Sequence, residues 1–148
     1  MIFLHVIIGL ILGKIFGNTT LFVIASILPD IDHVYVIIKN RLFSFRKIMN
    51  ALKNEERYNI RFKTPLIHSL LGLVICSIIY YLIFKIDTAY FALAYIFHLL
   101  LDWPDKDIKQ YFYPIKYNFK GFLPIWSRAE QIVTILAVVF LLLLYIFF

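Results

Sequence analysis

Five long apolar runs alternate with polar segments along the chain, and each run predicts a helix. They cover residues 1–16, 20–38, 65–84, 88–103 and 129–148. Their lengths approach the roughly 17 to 25 residues that a helix needs to cross a bilayer. The first and fourth runs are short and the second contains Pro29, which kinks helices, so four to five crossings are predicted. The pattern therefore predicts an all-α polytopic membrane helix bundle that forms a single domain, residues 1–148.

Two polar segments, residues 39–64 and 104–128, hold most of the basic side chains. The first has eight of the fifteen lysines and arginines, and the second has five. Because they follow the second and fourth predicted helices, a serpentine of five helices places both on one side of the membrane. The positive-inside rule assigns that side to the cytoplasm.

A basic amphipathic helix is predicted inside the first polar segment. Leu42, Phe45, Met49 and Leu52 recur at spacings of three and four residues among lysines and arginines. Such a helix lies in the membrane interface with its apolar face toward the lipid. The second polar segment interleaves aromatic residues with lysines, which predicts an interfacial aromatic belt rather than a nucleic-acid-binding surface.

The composition supports a membrane protein. Hydrophobic residues make up 62% of the chain, against roughly 45 to 50% in ordinary soluble domains. We therefore expect a multi-pass protein of the cell membrane. The net charge of +6 then indicates membrane lipids with anionic headgroups, or a phosphorylated lipid substrate, as partners, and no nucleic acid. The single cysteine, Cys76, excludes an intramolecular disulfide.

Ionisable residues inside the apolar runs need an explanation. A charge in the middle of a membrane span costs about 2.5 to 3.5 kcal/mol, yet the stretch "SILPDIDHVYVII" carries two aspartates and a histidine. All four histidines of the chain lie in apolar runs. The serpentine brings seven ionisable groups to the cytoplasmic side, namely His5, Asp30, Asp32, His33, His68, His98 and Asp102.

Carboxylates and imidazoles together form the mixed oxygen and nitrogen set that binds divalent metal ions. Asp30 and His33 are three residues apart, and His98 and Asp102 are four apart, so each pair can share one helical face. We predict a divalent metal site, with zinc preferred to manganese or magnesium. The predicted ligands are His5, Asp30, His33, His68, His98 and Asp102. Asp32 is the predicted general base or a bridging ligand.

Simpler interpretations of single residues stay open. Asp30 follows a proline and can cap a restarting helix, and Asp102 can merely end one. His5 and His68 lie near helix ends, where interfacial histidines are common. The stretch from Asp30 to His33 resists these interpretations best, because a cap uses one carboxylate and leaves the other groups unexplained.

Four motifs carry a resemblance to a known family. They are His5 in "MIFLHVIIG", "LPDIDH" at 28–33, "IHS" at 67–69 and "FHLLLDWP" at 97–104. In order and spacing they resemble the membrane-bound metal-dependent hydrolase family, also described as LexA-binding inner-membrane hydrolases. The resemblance implies a small helical membrane bundle with hydrolase chemistry, and a likeness in ligand type to zinc-dependent phospholipase C enzymes. The chain departs from the family at Lys63 and Thr64, where the family has "HR".

Three functions are compatible with these observations. The first is a membrane-bound hydrolase that acts on a lipid-like phosphoester at the cytoplasmic side, where a metal ion lowers the pKa of water from 15.7 toward about 7. Basic residues expected near an anionic headgroup are Arg41, Arg46, Lys47, Lys116 and Lys120. The second is a proton or metal-ion transporter, although few polar residues lie in the outer halves of the helices. The third is a non-catalytic regulatory protein that keeps the metal for folding.

Overall fold

The computed structural model of the protein describes residues 2–124 and 127–147 and is predominantly helical. Its α-helices are α1 (Ile2–Phe16), α2 (Thr19–Ile27), α3 (Ile31–Lys39), α4 (Phe45–Lys53), α5 (Glu55–Tyr58), α6 (Leu70–Phe84), α7 (Thr88–Asp102) and α8 (Arg128–Phe147). A 3₁₀ turn (Leu28–Asp30) joins α2 to α3. Two short strands, β1 (Ile108–Lys109) and β2 (Phe119–Lys120), pair antiparallel between α7 and α8.

Helices α1 and α2 form a tight hairpin because small residues let their backbones approach. Gly17, in the turn, has a φ of +79°, and the side chain of Asn18 caps α2 by accepting a backbone N–H bond. A Cβ added at Gly9 would lie 2.4 Å from Ser26 Oγ, and one added at Gly13 would lie 2.4 Å from the α2 backbone. Small residues therefore hold the first two helices in close contact.

The second predicted helix is continuous but changes geometry at Pro29. Because proline has no N–H, the backbone tightens into the 3₁₀ turn and then continues as α3. This local change occurs at the "LPD" stretch, next to Asp32 and His33. The sequence predicted a kink at Pro29, and in the structure the change of geometry lies just before Asp32 and His33.

Two helical stretches within the described residues are long and apolar enough to cross a membrane, judged by length and composition. They are Thr19–Lys39, of 21 residues, and Arg128–Phe147, of 20 residues. Helices α1, α6 and α7 have 15 residues each, or about 22 Å at 1.5 Å per residue, which is less than a bilayer core of about 30 Å. The helical fold is confirmed, but the predicted four to five crossings are not supported by these lengths.

The observed helix boundaries explain why fewer helices reach spanning length than the sequence predicted. The predicted third span began at residue 65, whereas α6 begins at Leu70 because Ser69 caps it by accepting the Gly72 N–H bond at 3.1 Å. At the other end, Lys85 and Asp87 both have positive φ and form the turn to α7. The turns thus use residues that were predicted to lie within or beside the spans.

The main apolar core lies between α2 and α7, where Phe22, Ala25, Phe91, Ala94 and Tyr95 are buried. Helix α6 packs on α7, and the Tyr95 hydroxyl donates a 2.5 Å hydrogen bond to the carbonyl of residue 67 in the turn before α6. Helix α8 contacts α1 but leaves most of its apolar side chains exposed. Such an apolar exterior is typical of a lipid-facing surface.

The predicted amphipathic helix is present as α4, which begins at Phe45 after Ser44 rather than at residue 42. Its buried face packs through Ala51 against Val36 and Phe62. Phe45 itself is 79% exposed, which leaves an apolar group free to enter a membrane surface. The hairpin of β1 and β2 was not predicted, since strands of two residues carry no alternating pattern.

Candidate metal centre

All seven ionisable groups selected from the sequence meet at one end of the bundle. They are His5 of α1, Asp30 of the 3₁₀ turn, Asp32 and His33 of α3, His68 in the turn before α6, and His98 and Asp102 of α7. Five of them are at most 2% exposed, namely His5, Asp32, His68, His98 and Asp102. Burial of so many ionisable groups is costly unless they pair or bind a cation.

The contact of His98 with Ser26 assigns the tautomer of its ring. His98 Nδ1 lies 2.7 Å from the carbonyl oxygen of Ser26. A carbonyl only accepts hydrogen bonds, so Nδ1 carries the hydrogen and the neutral ring has its lone pair on Nε2. Metal-binding histidines are commonly oriented in this way by a carbonyl behind them.

Carboxylates orient two further imidazoles. His68 Nδ1 lies 2.9 Å from Asp32 Oδ2, and His5 Nδ1 lies 3.1 Å from Asp30 Oδ2. When these Nδ1 atoms donate, the Nε2 lone pairs point away from the orienting carboxylates. The Nε2 atoms of both rings then lie 3.4 Å from the oxygens of Asp102, His5 from Oδ1 and His68 from Oδ2.

His68, His98 and Asp102 form a nearly equilateral triangle of ligand atoms. The two Nε2 atoms are 3.3 Å apart, and each lies 3.4 Å from Asp102 Oδ2. A tetrahedral ion with bonds of about 2.0 to 2.1 Å has edges of about 3.3 to 3.4 Å between its ligands. The triangle therefore has the dimensions of one face of a tetrahedral zinc site.

Two buried atoms beside the triangle support a cation there. Within the described residues, His5 Nε2 and Asp102 Oδ1 are buried without a hydrogen-bond partner, whereas Asp102 Oδ2 is paired with the Lys63 ammonium at 3.0 Å. Leaving buried polar atoms unpaired costs about 1 to 3 kcal/mol each, and a divalent cation would satisfy both. The donor set thus fits a metal ion, with His5 the nearest candidate for a fourth ligand.

Asp30 and His33 lie on the more accessible side of the cluster, next to the buried Asp32. His33 Nδ1 is 2.9 Å from Asp32 Oδ1 and 3.6 Å from Asp30 Oδ1, and the His33 side chain is 26% exposed. Both oxygens of Asp32 are engaged, because Oδ2 accepts bonds from His68 and from the backbone N–H of Thr64 at 2.7 Å. Asp30, His33 and His68 also form a group compact enough for a metal ion.

Lys63 belongs to the site although sequence reasoning did not select it. Its ammonium lies 3.0 Å from carboxylate oxygens of Asp102, Asp105 and Asp107. Burial alone would lower the pKa of Lys63, but the three carboxylates outweigh burial and hold this pKa well above its ordinary value. Lys63 is therefore a fixed positive charge beside the triangle of His68, His98 and Asp102. The only sequence signal for Lys63 was that the chain departs from the family pattern at this position.

The segment that follows α7 supplies the other two carboxylates around Lys63. A Cβ added at Gly121 would lie 2.2 Å from the Pro104 carbonyl oxygen, so only glycine lets the hairpin pack against this segment. Lys109 donates a hydrogen bond to the carbonyl of Asp105. Burial, followed by repulsion from Lys63, lowers the pKa of Lys109 to about 8.

Comparison with known proteins identifies one family. The family model described as "YdjM inner membrane protein" matches residues 1–148, the whole chain. The curated proteins and the solved structures contain no match to this chain.

Proposed function

The chain belongs to the YdjM inner membrane protein family, and we propose that it is a metal-dependent hydrolase acting on a phosphoester of an amphiphilic substrate at the cytoplasmic face. The observation that carries this proposal is the triangle of His68, His98 and Asp102 atoms, whose edges of 3.3 to 3.4 Å suit a tetrahedral ion. The hydrolase resemblance of the four sequence motifs supports the reaction class.

In this proposal His68, His98 and Asp102 would hold one divalent ion, preferably zinc, with three protein ligands as in catalytic zinc sites, and His5 would lie beside it. The chemistry that such an ion supplies is polarisation of a phosphoryl oxygen and a lower pKa of nearby water. Asp30 fixes the His5 ring through the 3.1 Å contact at Nδ1. The side chains of His5, His68, His98 and Asp102 are all buried. Their burial keeps competing water away from the ligand atoms.

We assign Asp32 to positioning instead of the general-base role expected from the sequence. Its two oxygens hold His33 and His68 and accept the Thr64 N–H bond, which leaves it poorly placed to take a proton from water. His33 is the proposed proton carrier instead of a ligand. Its Nδ1 faces Asp32 at 2.9 Å, and its partial exposure lets substrate reach the ring.

We also propose that the protein crosses the inner membrane more than once. Thr19–Lys39 and Arg128–Phe147 are the two stretches of spanning length. The shorter helices α1, α6 and α7 complete the bundle, and locally thinned bilayer or flanking polar groups would accommodate their length. This arrangement keeps the predicted cytoplasmic location of residues 39–64 and of the site.

The packing of α7 makes transport the weaker alternative. Phe91, Ala94 and Tyr95 precede His98 on this helix and belong to the apolar core, together with Phe22 of α2. A transporter needs a polar route across the membrane. The part of α7 that precedes His98 instead packs into an apolar core. We therefore favour a site that is entered and left from the cytoplasmic side.

The test is an assay of the purified full chain in detergent with zinc, manganese or magnesium. The substrates are phospholipids, lipid phosphates and generic phosphodiesters. His33→Gln should keep the metal and lower turnover by about 10² to 10⁴, the scale of general acid–base catalysis. Asp32→Asn should weaken metal affinity or activity by about 10- to 100-fold, the scale of an orienting group.

His98→Gln serves as the comparison, since it should lose metal and activity together. Metal-loaded protein that hydrolyses none of these substrates, yet moves ions across liposomes unless Asp30 is changed to Asn, would replace the hydrolase proposal with transport.

A further inference from the structure

A cavity of about 690 Å³ lies between the α4–α5 segment and the β-hairpin. Five basic side chains line it, namely Lys53, Arg57, Arg61, Lys106 and Lys120. Only Lys120 is among the basic residues that the sequence suggested for a headgroup. The cavity is within the roughly 300 to 1,000 Å³ typical of small-molecule sites.

Two acidic residues in the wall do little to neutralise these charges. The Asp107 carboxylate lies 3.0 Å from the ammonium of Lys63, outside the set of five. Burial, and next the neighbouring Asp107 carboxylate, raise the pKa of Glu55 to about 7, so much of it is protonated at neutral pH. Among the side chains that the structure describes, no ion pair joins Arg57 or Arg61 to a carboxylate. The cavity is consequently positive.

The basic side chains that line the cavity indicate which ligand it binds. Guanidinium groups bind phosphate oxygens through paired, charge-assisted hydrogen bonds, and lysines add point charges around them. Asn54 and Asn59 also line the cavity and can donate to neutral oxygens of the same ligand. We propose that this cavity binds the phosphate group of an anionic ligand, either a lipid headgroup or a soluble phosphorylated compound.

The cavity is close to the metal centre. Asp107, in its wall, contacts Lys63, and Lys63 contacts Asp102 of the ligand triangle, each at 3.0 Å. The side chains of Asp107 and Lys63 thus connect the cavity to the triangle. The assignment of a phosphorylated ligand as substrate rests on the proposed function, whereas its binding does not.

The cavity is also close to the predicted membrane surface. Its wall includes Leu52 and Lys53 at the end of α4. The opposite end of α4 carries Phe45, whose side chain is 79% exposed, after Phe43, which is 75% exposed. A headgroup held in the cavity can therefore keep its acyl chains in the bilayer.

Binding of two probes to the full chain in detergent tests the inference. Inorganic pyrophosphate represents a soluble ligand, and short-chain phosphatidic acid represents a lipid headgroup. Short-chain phosphatidylcholine, a zwitterion with no net charge, is the comparison. The Arg57→Gln/Arg61→Gln double variant should weaken binding by about 10- to 100-fold, since each charge-assisted phosphate contact is worth about tenfold. Saturation by phosphatidic acid alone identifies a lipid ligand, and saturation by both probes identifies the phosphate group as sufficient.

The matched control is the Lys39→Gln/Lys85→Gln double variant, which removes the same charge from exposed positions outside the cavity lining. It should bind both probes within about twofold of the wild type, because it leaves the proposed phosphate contacts intact. Equal weakening in both double variants, or no saturable binding of either probe, would overturn the inference.

The metal content of each variant separates this inference from the proposed function. Neither double variant touches the ligand triangle, so both should retain metal. Probe binding without hydrolysis would leave the cavity assignment and reject the hydrolase. Hydrolysis without saturable probe binding would support the hydrolase and reject the cavity assignment.

Discussion

Replacing Lys63 by alanine is the most informative perturbation of the buried charges. Its ammonium is 3.0 Å from oxygens of Asp102, Asp105 and Asp107, and its side chain is only 5% exposed. Removing one partner of a buried ion pair costs about 3 to 5 kcal/mol. Since three carboxylates lose their cation together, we expect a loss in the upper half of that range. At about 2 to 4 °C per kcal/mol for a chain of this size, the unfolding temperature should fall by about 8 to 20 °C.

A divalent cation should reverse much of this loss. Lys63→Ala leaves space among three carboxylates, so the variant should bind a second metal ion where the ammonium lay. At a free metal concentration about 100 times the Kd, such binding restores about 2.7 kcal/mol. Lys63→Met removes the same charge but fills the space, and it should be destabilised without gaining metal.

Thermal unfolding with and without added metal, together with the number of metal ions per chain, measures both effects. Lys106→Ala is the control, because it removes a lysine exposed to solvent and should change the unfolding free energy by no more than about 0.5 kcal/mol. Wild-type unfolding temperatures for both Lys63 variants would refute the charge-balance reasoning. Equal metal content in Lys63→Ala and Lys63→Met would refute the second binding position.

Three further predictions concern pH, packing and topology. Because the pKa of Glu55 is raised from 4.5 to about 7, stability should fall as pH rises between these values, and Glu55→Gln should flatten this slope in thermal unfolding. Gly9→Val should destabilise the protein by about 1 to 3 kcal/mol in denaturant unfolding, since its Cβ would meet Ser26. A cysteine at Asn54, in a background with Cys76→Ser, should resist an impermeant reagent added to intact cells, whereas labelling would reverse the predicted orientation.

Much of the site was predictable because its residues are conspicuous locally. Histidines and aspartates in apolar runs have few structural explanations, and the spacing of His98 and Asp102 places both on one face of α7. The topology of the helices then indicated a common membrane side. These arguments selected all seven residues that meet in the cluster, but they did not define which nitrogen of each ring faces Asp102.

Other parts depend on contacts that sequence periodicity cannot show. Lys63 and Asp105 are 42 positions apart and lie just outside apolar runs, where a charged residue normally faces water or headgroups. The role of Asp32 depends on contacts with both His33 and His68. The helix lengths do not support four to five crossings because apolar composition extends into turns, as at the start of α6, where Ser69 ends the turn and caps the helix.

The metal content of the purified protein tests the central claim most directly. The full chain, purified without added metal or chelator, should hold about one divalent ion per chain in elemental analysis, as the ligand set of His68, His98 and Asp102 predicts. His98→Gln, with helicity verified by circular dichroism, should hold none. A folded wild type that holds no metal, or a His98→Gln variant that holds as much as the wild type, would contradict the account.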